Sequence, residues 1–369
     1  MRISDLDTPS LLIDRERMLR NIVEMQSYAD ANHVTLRPHT KTHKMPELAR
    51  LQLEKGASGI AVAKVGEAEV MAENGLKDIF IANEIVGTAK LERIAALIKK
   101  GSDISFGVDD PYQVTEAERI FGSYDLTVPV LVEIEVGENR SGIIEEEDFV
   151  RLLECIRGCS HVRFKGLFSH DGNSYKAADM DELRAISRYA QERTLKFARL
   201  ASELGLPCDT VSYGATPTFM NKVEILDGIT ELRPGTYILM DCGQGAAIGT
   251  LEKCAATVLA TVMSRPTEER VILDVGAKGI TMQERKVGIT AVAGKGTILE
   301  YPGVHIDSVF DEHAIINNRE FREKVRLGDK VRIIPVHICP VSNLYNSAYL
   351  VSGDEVISEL EIGARGKLK

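Results

Sequence analysis

From Val34 to Arg233 the chain alternates short, largely apolar runs with helix-length amphipathic segments. Gly59–Ala63, Ile79–Ala82, Ile104–Val108, Val128–Val136, Phe164–Ser169, Asp209–Ser212 and Ile229–Arg233 read as strands, rich in β-branched residues and bounded by turn formers. Between them, Pro46–Lys55, Val65–Asn74, Lys90–Lys100, Pro111–Phe121, Phe149–Gly158 and Met180–Leu204 read as helices, and Gly56 and Gly75 close the first two. Strands apolar along their length are buried on both faces, which requires a parallel sheet covered by helices. With Val34–Leu36 included, about eight such units fit a (β/α)8 TIM barrel better than an open sheet. No GxGxxG follows the first strand, which disfavours a dinucleotide-binding domain.

The pattern changes near Asp241. Ala255–Ser264, Arg270–Asp274, Gly296–Leu299, Lys330–His337 and Ala348–Ser352 are strand-like, joined by turns with little helix between. With 369 residues there is material for two cores. The expected organisation is an α/β barrel over 14–240 and a mostly-β C-terminal domain over 241–369, completed by 1–13. The first strand, Leu11–Asp14, suits either domain.

A barrel keeps its chemistry at the C-terminal ends of its strands. There, after Val34–Leu36, stands Arg37-Pro38-His39-Thr40-Lys41-Thr42-His43-Lys44. Pro38 forbids helix and holds Arg37 extended. If the extension continues, alternation puts His39, Lys41 and His43 on one side. Later strand ends carry Arg140, His170, the turn Ser212-Tyr213-Gly214-Ala215-Thr216-Pro217 and the turn Arg233-Pro234-Gly235-Thr236-Tyr237. Gly/Thr turns at the last barrel strands suit a phosphate, since backbone N–H groups and hydroxyls reach its oxygens. A lysine near a phosphate site suggests pyridoxal 5'-phosphate.

The formal net charge of -10 argues against nucleic-acid and anionic-membrane partners and points to a small-molecule ligand. No apolar run is long enough to span a bilayer, and Met1–Asp7 lacks a signal-peptide core. The six cysteines are dispersed, as expected of reduced thiols in the cytoplasm. In the β domain His337 and Cys339 lie two apart at a strand end, so a strand would present imidazole and thiolate side by side. Sulfur plus nitrogen favours zinc over magnesium or manganese, and two protein ligands leave room for water and substrate.

Taken together, the barrel, the Arg-Pro-His-Thr-Lys-Thr-His-Lys run, the Tyr-Gly-Ala-Thr-Pro turn and the His-Ile-Cys pair resemble the D-threonine aldolase/D-serine dehydratase family, with its alanine-racemase-like (fold type III) barrel and β domain. The resemblance runs from Asp7-Thr8-Pro9 to the last strands. It implies a lyase of small D-3-hydroxy amino acids. Lys41 would be the Schiff-base lysine and Arg140 the cofactor-ring arginine. His170 and Tyr175 would stand near the ring, and Tyr213, Gly214, Thr216, Gly235 and Tyr237 would contact cofactor and phosphate. His337 and Cys339 would be the metal pair. A His-x-Cys pair sides with zinc-dependent dehydratases, whereas aldolase members typically place a carboxylate there and use manganese or magnesium. Dehydration of D-serine to pyruvate and ammonia is therefore expected, with Lys41 taking the Cα proton. The alternative is retro-aldol cleavage to glycine and an aldehyde, with His170 or His39 as base. A racemase, or a non-catalytic cofactor carrier, is a remoter alternative. The resemblance also implies a homodimer.

Overall fold

The computed structural model describes residues 1–369. It divides into two compact units, one of Met25–Lys41, Pro46–Gly235 and Gly366–Lys369, the other of Met1–Glu24, Thr42–Met45 and Thr236–Arg365. The division falls inside the helix Arg15–Ala31 and again directly after Lys41.

Strand β1 (Ser10–Asp14) belongs to the second unit. The first unit holds β2 (Thr35–Leu36), β3 (Ile60–Val62), β4 (Asp78–Glu84), β5 (Asp103–Val108), β6 (Val128–Ile134), β7 (Val162–Ser169), β8 (Thr210–Tyr213) and β9 (Glu231–Leu232). They form one parallel sheet in the order β2-β9-β8-β7-β6-β5-β4-β3. Its ends meet: His39 bridges Ala61, Ser58 N–H donates to the Leu36 carbonyl and Ala61 N–H to that of Pro38. The sheet is thus the closed eight-stranded barrel that the alternation predicts.

Ala61, Phe80, Leu131 and Phe168 pack together from β3, β4, β6 and β7. Phe80 and Phe168 meet edge to face, centroids 5.1 Å apart. Gly107 of β5 gives the Phe168 ring its place, since a Cβ there would lie 2.7 Å from Cζ. An ion-paired chain, buried except at Asp78, runs through the same unit. Arg37 donates through Nε to Glu231 Oε2 and through Nη1 to Asp78 Oδ1, both at 2.6 Å. Ser212 Oγ donates to Glu231 Oε1 at 2.5 Å, and Arg233 Nη1 reaches Ser212 Oγ at 2.5 Å. Gly59 lets the Arg37 guanidinium pass, because a Cβ there would stand 2.2 Å from Nη1.

The second unit is built on a nine-stranded sheet. Beyond β1 it contains β10 (Ala256–Ser264), β11 (Arg270–Leu273), β12 (Gly296–Ile298), β13 (Ser308–Val309), β14 (Ala314–Asn317), β15 (Lys330–Pro335), β16 (Ser347–Ser352) and β17 (Glu355–Glu361). The path runs β13-β14-β11-β10-β1-β16-β17, with β15 pairing both β10 and β12. Leu12 opposes Thr257 of β10 antiparallel and Tyr349 of β16 parallel, which assigns the first strand to this sheet. No helix is long and apolar enough to cross a membrane.

Candidate active site

Two local readings need correction. The chain does not stay extended after Pro38: Thr40–Thr42 is a 3-10 turn, so His39, Lys41 and His43 do not alternate along a strand. Residue 40 turns the chain once its hydroxyl donates to the Ala61 carbonyl at 3.1 Å. Likewise β15 ends at Pro335, and His337 is the N-cap of the short helix Ile338–Ser342 that carries Cys339. Proline at 335 and the Asp241 carboxylate, which accepts from Ile338 N–H at 3.1 Å, favour the helix start over further strand.

In the barrel unit a cavity of about 240 Å3 is lined by His39, Lys41, Ala63, Ala82, Asn83, Glu84, Glu133, Arg140, Ser141, Phe168, His170 and Arg233. These residues sit at or just beyond the C-terminal ends of β2, β3, β4, β6, β7 and β9. The structure thus brings Lys41, His39, Arg140 and His170 together. His39 is buried, and burial plus the charges of Lys41 and Arg233 keeps its imidazole well below its ordinary value, hence neutral. Its Nδ1 faces the Lys41 N–H at 3.5 Å, and it also hydrogen-bonds the Ala61 backbone. His170 is better placed to move a proton, because its Nδ1 lies 2.8 Å from Glu138 Oε2, a carboxylate that orients the ring.

Arg140 donates to Glu133 Oε1 at 3.1 Å and pairs with Glu138 at 3.3 Å. Ser141 Oγ donates to Glu133 Oε2 at 2.7 Å. Burial would raise the Glu133 carboxyl, but hydrogen bonds from Glu84 and Ser141 and the Arg140 charge hold it low. Burial and the Glu133 carboxylate push the Glu84 carboxyl up to about 9, so Glu84 carries the proton of the pair. The folded state therefore binds a proton that the unfolded chain releases above the ordinary carboxylate range. Stability should fall as pH rises from about 4.5 toward 9. Glu84→Gln should flatten that slope in thermal melts run across the same pH range.

Arg233 is buried, and burial pulls its guanidinium down to about 10, still cationic at neutral pH. It lies over the Phe168 ring at 5.3 Å. Lys41, Arg140 and Arg233 against the Glu133 carboxylate make a cavity chemically suited to an anionic ligand with a ring and a carboxylate, as pyridoxal phosphate with an amino acid would be. Asn83, Glu84, Phe168 and Glu138 were not singled out from sequence. Their shared signal is position: each stands at or after the C-terminal end of a strand.

The other barrel candidates, Tyr175, Tyr213, Gly214, Thr216 and Gly235, are not among the residues that line this cavity. The loops after β8 and β9 are neighbours, tied by Arg233 N–H to the Tyr213 carbonyl and by Gly235 N–H to Thr216 Oγ1 at 3.3 Å. Gly214 sits at φ +151, and a Cβ there would meet the Phe219 ring at 2.5 Å. The Tyr213 hydroxyl is turned into a buried network: it donates to Asp171 Oδ2 at 2.7 Å and lies 2.9 Å from Ser187 Oγ. Its side chain is therefore engaged within the protein. Tyr175 is half-buried in the 3-10 turn Gly172–Lys176, and Tyr237 is fully buried in the second unit.

The second unit holds His337 and Cys339. Cys339 Sγ lies 3.3 Å from Thr42 Oγ1 and 3.5 Å from Thr236 Oγ1, two buried hydroxyls able to donate to a thiolate. Thr42, whose carbonyl also accepts from Ser342 Oγ at 2.6 Å, is the residue after Lys41. His337 Nδ1 is 3.0 Å from Gln283 Oε1, which leaves Nε2 as the lone-pair nitrogen. No group of three or more His, Cys, Asp or Glu converges. One sulfur and one nitrogen fit a zinc ion that keeps open positions for water and substrate.

Residues 13–242 match the family described as the alanine racemase N-terminal domain, and residues 255–351 the serine dehydratase domain. A D-threonine aldolase of Arthrobacter sp. is 34% identical over 368 residues, covering 99% of this chain and 94% of its own. The D-threo-3-hydroxyaspartate dehydratase of Delftia sp. (strain HT23) is 31% identical over 375 residues, covering 96% and 97%. Its structure superposes with a TM-score of 0.91 at 28% identity, covering 98% of both chains. Further structures of a D-threo-3-hydroxyaspartate dehydratase have alanine in place of a histidine and of a cysteine two positions on, the latter in a metal-free form. The D-threonine aldolase from Filomicrobium marinum superposes with a TM-score of 0.90 at 31% identity, covering 100% of this chain and 98% of its own.

Proposed function

Since this chain belongs to the D-threonine aldolase/D-serine dehydratase family of pyridoxal-phosphate lyases, we propose that it eliminates water from a D-3-hydroxy amino acid to give an enamine, whose hydrolysis takes the water back and releases ammonia and a 2-oxo acid, D-serine giving pyruvate. The observation that carries the proposal is the cavity that gathers Lys41, Arg140, His170 and Arg233 at the strand ends. Lys41 would hold the cofactor's aldehyde carbon, Arg140 the edge of its ring, and the turns 212–217 and 233–237 its phosphate. His337 and Cys339 would hold zinc. When bound, the cofactor supplies an electron sink at Cα and the metal a Lewis acid for the β-hydroxyl.

The chain's own residues do the rest. Arg140 and Arg233 bind and orient negative charge in the cavity. Lys41 Nζ takes the Cα proton of the bound substrate. The proton on Glu84 lowers the negative charge that the Glu84–Glu133 pair turns toward the substrate carboxylate. The His-x-Cys pair supports dehydration, and the dehydratase relative varied at a histidine and a cysteine with this same spacing supports a metal there.

Retro-aldol cleavage is the second reading, favoured by the Arthrobacter aldolase and by the His170–Glu138 pair, which could take the β-hydroxyl proton. One assay separates the two. Purified protein is given D-serine, D-threonine and D-threo-3-hydroxyaspartate, with and without a chelator, and 2-oxo acid, ammonia, glycine and aldehyde are measured. Dehydration yields 2-oxo acid and ammonia in equal amounts. Chelation should lower the rate at least ~10-fold, and added zinc should restore it. Glycine plus aldehyde without ammonia transfers the assignment to the aldolase reading, with manganese or magnesium as its metal. No product from any of the three overturns both. A homodimer in the cytoplasm completes the proposal, and light scattering tests the assembly.

A further inference from the structure

We propose that Gln283 is a positioning residue for the metal pair: it fixes the imidazole of His337 so that Nε2 alone is presented to the ion. The inference rests on the reading of His337 and Cys339 as metal ligands. Gln283 stands 54 positions from His337 in the chain. It lies in irregular backbone and belongs to no sequence motif, so nothing in the sequence singles it out.

The backbone on both sides of His337 is already fixed. Val336 O accepts from Gly243 N–H at 3.3 Å, and Ile338 N–H donates to Asp241 Oδ2 at 3.1 Å. As the N-cap of Ile338–Ser342, His337 itself is held at φ -145 and ψ 112. The rotation of the ring and the nitrogen that carries its proton are set by the side chain's own contacts, of which the Gln283 amide is one. A neutral imidazole has one donor and one acceptor nitrogen, and an amide oxygen can only accept. With Gln283 Oε1 3.0 Å from Nδ1, the proton sits on Nδ1 and the lone pair on Nε2. Metal-binding histidines are oriented in this way by an acceptor on the far nitrogen.

The loop that delivers Gln283 is braced for the task. Gln283 N–H donates to Thr281 Oγ1 at 3.2 Å, and Thr281 is held at φ +68. The next residue, Glu284, is bridged by Lys286 at 2.5 Å and Lys295 at 2.6 Å. Hydrogen bonds from these lysines hold its carboxyl down to about 2, so both bridges persist at neutral pH. Lys295 Nζ also reaches the Met282 carbonyl at 3.4 Å, and Val292 N–H donates to the Arg285 carbonyl at 2.9 Å. The exposed side chain of Gln283 is thus carried on a loop cross-linked on either side of it.

The test is zinc affinity, measured by competition with a chromophoric chelator on wild type, Gln283→Ala, Gln283→Glu and His337→Ala. Apoprotein melting temperatures are recorded alongside. Gln283→Ala should bind zinc roughly 10- to 100-fold more weakly at an unchanged melting temperature. Gln283→Glu, which keeps an oxygen acceptor, should bind within about threefold of wild type. Nitrogen-15 spectra of histidine-labelled apoprotein, assigned by difference with His337→Ala, should show Nδ1 protonated in wild type and a tautomer mixture in Gln283→Ala. Equal affinity of Gln283→Ala and wild type overturns the proposal, as does equal weakness of the Ala and Glu variants. If wild type and His337→Ala bind zinc alike, the metal assignment itself falls. The tautomer measurement then still reports on whether the amide governs the ring.

Discussion

Lys41→Ala is expected to lower turnover at least ~1,000-fold, because one side chain both holds the cofactor and moves the Cα proton. Lys41→Arg should not rescue it, since a guanidinium does not give up its proton to become a nucleophile. Borohydride treatment of wild-type protein should leave reduced cofactor on the peptide containing Lys41, and the variant should carry none. The neighbouring lysine is the control. Lys44 is buried in the other unit, at φ +61, with its carbonyl accepting from Ala364 N–H at 3.0 Å. Lys44→Ala should therefore leave the cofactor bound to Lys41. Label on residue 44 instead of 41 would refute the assignment.

The largest effect on stability is expected inside the barrel. Glu231→Leu strands the buried Arg37 Nε and removes the acceptor of Ser212, while Asp78 remains at the far end of the guanidinium. Breaking a buried pair on one side costs about 3–5 kcal/mol when the remaining charge is neither solvated nor paired, and because Asp78 still pairs Arg37 the loss here should lie near the lower figure. Removing both partners with apolar groups of similar size is far less costly. The double variant Arg37→Met with Glu231→Leu should therefore recover much of the loss. Urea midpoints of the two single variants, the double variant and wild type measure this directly. A double variant no better than Glu231→Leu would show that the pair matters for packing rather than charge.

The barrel was legible because eight short apolar runs, the first six each followed by a helix, admit few other arrangements. Lys41, Arg140 and His170 were legible for a related reason, as polar side chains placed directly after apolar strands. What escaped was geometry set by contacts remote in sequence. The turn at Thr40–Thr42 is stabilised by the Ala61 carbonyl, and the helix at Ile338 by the Asp241 carboxylate. Neither partner is near its target in the chain, so alternation from the preceding strand was the wrong guide at both places. The Tyr-Gly-Ala-Thr-Pro turn points to cofactor contact, and what the turn does not reveal is that the Tyr213 hydroxyl donates to the buried carboxylate of Asp171, a partner remote in sequence. Glu133, at the end of a strand before Arg140, was legible as a group that could orient it, but its pairing with Glu84 was not, because the ends of β4 and β6 meet across β5, which follows from sheet order and not from spacing.

Strand β1 has a consequence for how the chain is made. Leu11, Leu12 and Ile13 are almost wholly enclosed, yet their partners β10 and β16 lie some 240 to 340 positions onward. The barrel strands all lie between β1 and these partners, so their mutual pairings can form during synthesis while β1 waits. A strand that leaves the ribosome before every barrel strand is thus paired only after them. Until then, three adjoining aliphatic residues need protection from neighbouring nascent chains.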